Sequence, residues 1–328
     1  MAHHHPHAHQ PIHLHPIEEP TFKTVSVLRS TVDHAHEAPV VFDSPHSGTD
    51  YPADFIVQVP HAVLRRAEDT HVEKIFASAV AHGATFVIAN FPRSYIDANR
   101  SILDIDQALL DAPWPGPINA SKKTEKGIGL VWRKLDTGDN LYNASLSVAA
   151  VQARISTCYA PYHKALRDAL NAAHEHYGAV WHINCHSMPA ISSGISDEGP
   201  GVARADFVLG DRDGTTCSPA FTEFVATTLR DMGYHVKIND PYKGVELVRA
   251  YSEPAEHRHS LQVEINRRLY MNEETREIHD GFAALKKNID TLIAAVCAYA
   301  RKNMPAHSHD HKPHIHGPDC NHGHDHHH

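Results

Sequence analysis

The 328-residue chain has no hydrophobic run approaching the length of a membrane span, so no membrane partner is expected. It has no long Lys/Arg stripe and its net charge is −9, which argues against non-specific nucleic-acid binding. Cysteine is scarce. The five (Cys158, Cys185, Cys217, Cys297, Cys320) are odd in number, widely spaced and form no C-x-x-C. That pattern excludes a disulfide framework and suits a reducing compartment. The first residues show no basic-then-apolar leader pattern, so the expected location is the cytoplasm. There is no G-x-x-x-x-G-K-[ST], no G-x-G-x-x-G and no G-x-S-x-G, which leaves nucleotide sites and an α/β-hydrolase serine unsupported.

What is present is an ordinary globular composition, 41% hydrophobic and 21% charged, in a chain long enough to bury a substantial core. Histidine is the anomaly. Seven lie within residues 3–15 and ten within 307–328, so the two ends hold 17 of the 32. Both ends mix histidine with Pro, Asp, Gly or Gln and lack apolar periodicity. Residues 1–21 and 304–328 are therefore expected to be disordered His-rich tails that bind metal loosely, around one domain over 22–303.

Within that domain strand-like and helix-like segments alternate, the mark of an α/β fold. Strands are predicted at 24–28, 40–44, 85–89, 180–185, 206–209, 235–238 and 261–265. Helices are predicted at 70–81, 146–157, 162–176, 219–231 and 278–301. Thr70 and Glu73 have capping-box spacing, and Gly83, Gly178 and Gly233 stand where helix C-terminal glycines belong. Residues 102–145, with Trp114-Pro115-Gly116-Pro117, read as a long excursion of the kind that shapes pockets.

Two histidines directly follow apolar strand-like runs: Val40–Pro45 leads into His46, and Val180–Cys185 into His186. In open α/β sheets ligands bind beyond the carboxyl ends of strands, so a metal site assembled by the fold is one reading and local hydrogen bonding the other. In the run 260–266, Gln262, Glu264 and Asn266 share one strand face. Glu264 is thus a carboxylate in a core-like strand: either a salt-bridge partner of Arg267 or Arg268, or a general base beside a metal-activated water. Asp69 either caps a helix start or completes a two-His-one-carboxylate set with His46 and His186, with His71 and Asp50 as competitors. Arg100, and Arg249 on a presumed strand face with Leu247 and Tyr251, are surface charges or carboxylate readers. His163 and His259 are further polar candidates, each more often structural than catalytic, and Cys185 reads as a small core residue.

Together these segments resemble the N-formylglutamate amidohydrolase (deformylase) family. The matching pieces are Ser44-Pro45-His46-Ser47-Gly48, Glu68-Asp69-Thr70-His71, Asp97-Ala98-Asn99-Arg100 and Asn184-Cys185-His186-Ser187-Met188-Pro189. Tyr242-Lys243-Gly244, Arg249-Ala250-Tyr251, residues 261–267 and Leu269-Tyr270-Met271 follow in order. The resemblance implies a three-layer α/β fold like that of zinc carboxypeptidases, with a mixed, mostly parallel sheet between helices. It implies one catalytic Zn²⁺ on His46, Asp69 and His186, with Glu264 as general base. It also implies that Asn99, Arg100 and Arg249 bind substrate, with His259 near the site. The implied reaction is hydrolysis of an N-acyl amino acid, foremost N-formyl-L-glutamate to formate and L-glutamate, as in one route of histidine degradation.

The chain departs from the family pattern in two places. Asn184 stands where members usually carry an acid, and Val245, Glu246 and Leu247 follow Lys243-Gly244 where a second glycine and a small polar stretch are usual, with Ser252 where glycine is common. The same residues also admit another N-acyl amino acid or small amide as substrate, or a zinc-buffering or zinc-delivery protein with a vestigial hydrolase domain.

Overall fold

The computed structural model describes residues 22–306. The expectations for residues 1–21 and 307–328, including Cys320, fall outside the described residues. All seven predicted strands are present: β1 Val25–Leu28, β2 Val40–Ser44, β3 Thr85–Ala89, β4 Val180–Met188, β5 Phe207–Gly210, β6 Val236–Ile238 and β7 Arg258–Asn266. They form one sheet in the order β1-β3-β2-β4-β7-β5-β6. The central four are mutually parallel, β1 runs antiparallel to β3, and β5 runs antiparallel to β7. The expected mixed, mostly parallel α/β architecture is the one observed.

The described α-helices are α1 His61–Leu64, α2 Val72–Ile75, α3 Lys122–Glu125, α4 Val148–Arg154, α5 Ala160–Tyr177, α6 Pro219–Asp231, α7 Glu246–Ala250 and α8 Gly281–Lys302. Strand alternation sorts them into two layers. Phe42, Ile183, Cys185, Leu261, Val263 and Ile265 meet α2, α6 and α8 in one apolar cluster. Val41, Val87 and Val180 meet α4, α5 and α7 in a second, to which the excursion 102–145 adds Leu109, Leu130, Trp132 and Leu141. Cys185 is a core residue on the first face. None of the described helices is long and apolar enough to cross a membrane.

Three helix expectations change. The predicted helix 70–81 is broken into α2 and a 3₁₀ segment, Ala77–His82. His71 precedes α2 at φ 72°, and Thr70 donates its hydroxyl to Glu68 Oε2 (2.9 Å) instead of capping, so the capping box does not form. The predicted helices 146–157 and 162–176 run together from Val148 to Tyr177 through a π-turn at Ile155–Tyr159. Pro161 lacks the N–H an α-helix needs at that point, and the wider turn absorbs the defect. Residues 247–251, expected as a strand, lie in and just beyond α7, where Leu247 and Val248 are both buried and Glu246 pairs with Arg249 across one turn. Gly83, Gly178 and Gly233 all follow helical segments at positive φ, as expected.

Candidate metal centre

The parallel register builds the site. His186 on β4 lies directly beside Glu264 on β7, and both point to the face opposite the α6/α8 layer. His46 follows β2 by two residues at the same end of the sheet. The loop after it packs tightly on the end of β3, because a Cβ on Gly48 would sit 2.3 Å from the Phe91 carbonyl oxygen. Asp69 enters just before α2, tied by its backbone N–H to the His46 carbonyl (2.9 Å). His46, Asp69 and His186 are each almost fully buried, and their candidate ligand atoms lie within 4.8 Å of one another.

The hydrogen bonds fix which atoms face inward. His46 Nε2–H donates to Asp97 Oδ1 (2.6 Å), leaving a lone pair on Nδ1, a buried atom without any hydrogen-bond partner. His186 Nε2 meets Asn184 Oδ1 (2.7 Å) and Asn99 Nδ2 (3.2 Å); with its proton directed to Asn184, the nearer partner, its Nδ1 lone pair faces Asp69 Oδ2 at 3.0 Å. His46 Nδ1 faces the same oxygen at 3.4 Å. Arg267 Nη2 donates to the other oxygen, Asp69 Oδ1 (2.9 Å). With these tautomers three electron-pair donors converge, an arrangement that a cation resolves. Burial, aided by His46, lowers the His186 pKa against the pull of Asp69, which favours neutral imidazole, the form that binds metal. Burial alone would raise Asp69, but its neighbours His186, His46 and Arg93 hold it well below the usual carboxylate range. The residues present thus fit a divalent ion on two nitrogens and one oxygen.

The groups behind these side chains are equally defined. Asp97 accepts from His46 and the Asn99 N–H on one oxygen, and from Arg93 and Trp132 Nε1 on the other. Burial would raise its pKa, yet His46, Arg93 and Arg100 outweigh that and keep it ionised. The Asn184 departure has a local cause. Its Nδ2 donates to Asp43 Oδ1 (2.8 Å), a buried carboxylate that also accepts from His182 (2.7 Å) and Tyr162 (2.5 Å). An acid at 184 would set two carboxylates in contact there, whereas the amide satisfies Asp43 on one side and orients His186 on the other.

Glu264 accepts from Gln262 Nε2 (2.9 Å) and opens onto the cavity. Neither neighbouring arginine pairs with it: Arg267 is bonded to Asp69 and Ser187, and Arg268 to Asp206. Burial first, and the Asp69 charge second, push its carboxyl well above the ordinary range. Asp69 does not cap α2, whose preceding residues form no side-chain cap. Of its competitors, Asp50 is exposed and His71 Nε2–H donates to the Arg276 carbonyl (2.7 Å).

The cavity above the three donors has a volume of about 450 Å³. Asn99 and Arg100 line it. Asn99 Oδ1 accepts from the Leu247 N–H (2.9 Å), which docks the start of α7 against the site. Arg100 donates through Nε to the Ile128 carbonyl and through Nη1 to the Asn99 carbonyl. Two expected site residues are not brought here. Arg249 is more than half exposed, bonded to Glu246 and absent from the cavity wall, because it lies on the outward side of a helix and not on a strand. His259 pairs with Trp181 near the opposite ends of β7 and β4, five residues or about 16 Å from Glu264. It stacks on Trp181 and accepts from the Ser218 N–H, and burial takes its imidazole down to about 4. His163 is structural too, bridging Tyr251 Oη and the Ala98 carbonyl.

The model of the N-formylglutamate amidohydrolase family matches residues 38–271. The chain belongs to the N-formylglutamate amidohydrolase family. The crystal structure of N-formylglutamate amidohydrolase from Ralstonia eutropha JMP134 is 45% identical, with a TM-score of 0.80, over 85% of this chain and 99% of that one. The N-formylglutamate deformylase of Pseudomonas putida is 27% identical over 246 residues, 73% of this chain and 84% of the relative. That of Pseudomonas aeruginosa is 25% identical over 270 residues, 80% of this chain and 94% of the relative.

The structure adds residues to this site that sequence reasoning did not single out, Arg93, Lys123, Trp132 and Arg204, and gives a place to two that stood only in matching segments: Tyr242 lines the cavity and Asp97 orients His46. Arg93 lies four residues before Asp97, a spacing that hints at their ion pair. Nothing in the sequence marks Lys123 or Arg204, which reach the site by long-range packing.

Proposed function

We propose that this protein is a zinc-dependent amidohydrolase that converts N-formyl-L-glutamate to formate and L-glutamate. The observation that carries the reading is the convergence of His46, Asp69 and His186, whose candidate ligand atoms lie within 4.8 Å of one another, with Glu264 in register beside His186. Membership of an amidohydrolase family and the names of the relatives support the substrate. Zn²⁺ held by His46 Nδ1, Asp69 Oδ2 and His186 Nδ1 supplies a Lewis acid that polarises a carbonyl and lowers the pKa of a water towards about 7.

The protein's own groups carry the proton and the charge. Glu264 takes a proton from the attacking water as its oxygen bonds to the formyl carbon. It then delivers that proton to the amide nitrogen as the C–N bond breaks, leaving formate and the free amino group. A carboxyl with a raised pKa suits this two-way transfer. Arg93 Nη1, 3.7 Å from Asp69 and without a hydrogen bond of its own, is the cation placed to balance charge on the attacked carbonyl oxygen. Asn99 and Arg100 remain the substrate binders of this reading, with Arg100 Nη2 available to the α-carboxylate.

Formate release from N-formyl-L-glutamate by the zinc-loaded full chain tests the assignment. Glu264→Gln is expected to lower turnover by about 10²–10⁴-fold while one zinc per chain stays bound, since a base is removed and not a ligand. Normal turnover in that variant would end the mechanism. A zinc-loaded wild type that releases no formate would end the substrate assignment.

A further inference from the structure

The cavity is lined by seven cations, and their partners separate them. Arg93 is bonded to Asp97, Arg204 to Glu198 and Ser196, Lys243 to Asp213, and Arg267 to Asp69. Arg100 donates to two backbone carbonyls. Arg66 is exposed at the rim. Lys123 is the one cavity cation that is both partly buried and without a hydrogen-bond or ion-pair partner among the described residues. A partly buried ammonium without a hydrogen-bonded counter-ion gains when an anion arrives to meet it.

Its position is built and not incidental. Lys123 lies in α3, and Ser121 Oγ accepts from the Lys123 backbone N–H (3.1 Å). Asp104 grips the same turn, accepting from the Ser121 N–H (2.7 Å), the Ser121 hydroxyl (2.9 Å) and the Thr124 hydroxyl. The anion that could neutralise Lys123 across the cavity, Asp197, is instead bonded to Lys126 (2.7 Å). The cations also stand in sequence. Arg267 and Arg93 lie nearest the metal donors, at 2.9 and 3.7 Å from Asp69, and Arg100 follows, with Nη2 3.8 Å from Asp97. Lys123 is joined to Arg100 through Ile128, whose N–H donates to the Lys123 carbonyl (2.9 Å) and whose carbonyl accepts from Arg100 Nε (3.0 Å). In an N-acyl acidic amino acid the α-carboxylate is one carbon from the scissile nitrogen and the side-chain carboxylate is several bonds further on. The two orders match.

We propose that Lys123 binds the side-chain carboxylate of the substrate and sets the preference for an acidic amino acid. The inference rests on the N-acyl amino acid reading above and assigns its side-chain specificity to one residue. The charges that act on Lys123 are those of Arg100 and Arg93 after β3, Lys126 just after its own helix, and Asp197. Burial first, then Arg100, bring its ammonium down to about 8. Its charge, and with it the hold on a carboxylate, is therefore complete well below pH 8 and lost above.

The test is the ratio of kcat/KM for N-formyl-L-glutamate over N-formyl-L-glutamine, measured on the zinc-loaded full chain with Lys123→Met and Lys123→Arg. The ratio is expected to fall at least tenfold in Lys123→Met, through KM, and to persist in Lys123→Arg. In the wild type it should decline as pH rises through 8, while in Lys123→Arg, whose guanidinium stays charged, it should not. A Lys123→Met enzyme that keeps the wild-type ratio overturns the proposal, as does a Lys123→Arg ratio that declines with pH like the wild type. Calorimetric binding of the same two compounds separates this from failure of the parent reading. If neither is hydrolysed, a binding preference for the glutamate compound that Lys123→Met abolishes still supports the assignment. Equal binding of both by the wild type overturns it.

Discussion

The two faces of the sheet are made by the same strands and do opposite work. Read at odd positions, β4 presents Trp181, Ile183 and Cys185 to the α6/α8 layer; at even positions it presents His182, Asn184 and His186 to the other. β7 repeats the division, with Leu261, Val263 and Ile265 against Gln262, Glu264 and Asn266. Both sets are almost wholly buried, so burial does not distinguish them. What differs is how the burial is made tolerable. The apolar face relies on area removed from water, with no directional demand. The polar face relies on pairing: Asp43 takes donors from Tyr162, His182 and Asn184, and Asn184 in turn orients His186. That pairing leaves His46 Nδ1 without a partner beside Asp69 and His186, and this is the place that can hold a metal. A period of two thus lets one strand carry stability on one side and chemistry on the other.

The sharpest break of this comparison comes from the apolar face. Ile293 on α8 is fully buried against the sheet. Ile293→Ala is expected to cost about 2–5 kcal/mol of stability by denaturant titration, through lost burial and a residual cavity. Zinc affinity and kcat/KM of the folded fraction should stay at wild-type values. A parallel loss of zinc affinity would show that the two faces are mechanically coupled. From the polar face, Asp97→Asn keeps the shape but supplies only one acceptor where two oxygens now serve His46, Asn99, Arg93 and Trp132. Zinc affinity, read by chelator competition, is expected to fall roughly 10- to 100-fold. Unchanged affinity would mean that His46 is held by its backbone alone.

The same division explains what could be read from the sequence. Strand positions were legible because alternation and apolar runs are local properties, and all seven strands lie where they are predicted. The convergence of His46 and His186 was legible because strand ends are where α/β folds present ligands, and Glu264 drew notice because a carboxylate in an apolar strand needs a reason. Helix 70–81 was misread because its start depends on a left-handed His71 held by a contact with Arg276, 205 residues away. The cavity cations were illegible for a similar reason. Lys123 and Arg204 acquire meaning only when α3 and the loop after β4 fold over the sheet end, which no local pattern records.

Arg249 is the smallest and most discriminating case. It was attractive as a substrate binder because Leu247, Arg249 and Tyr251 alternate like a strand, yet a five-residue run fits a helical turn equally well. The helix wins here, with Leu247 and Val248 buried, and the guanidinium turns outward to Glu246 at 2.7 Å. Arg249 is exposed and neither it nor Glu246 lines the cavity, so losing the pair leaves no charge unpaired there. Arg249→Ala is therefore expected to change kcat/KM for N-formyl-L-glutamate by no more than about twofold, the scale of an ordinary surface substitution. A loss of tenfold or more, appearing in KM, would mean that α7 rotates on substrate binding to bring Arg249 over the cavity. Val245, which lines the cavity one residue before α7, would then be the hinge to substitute next.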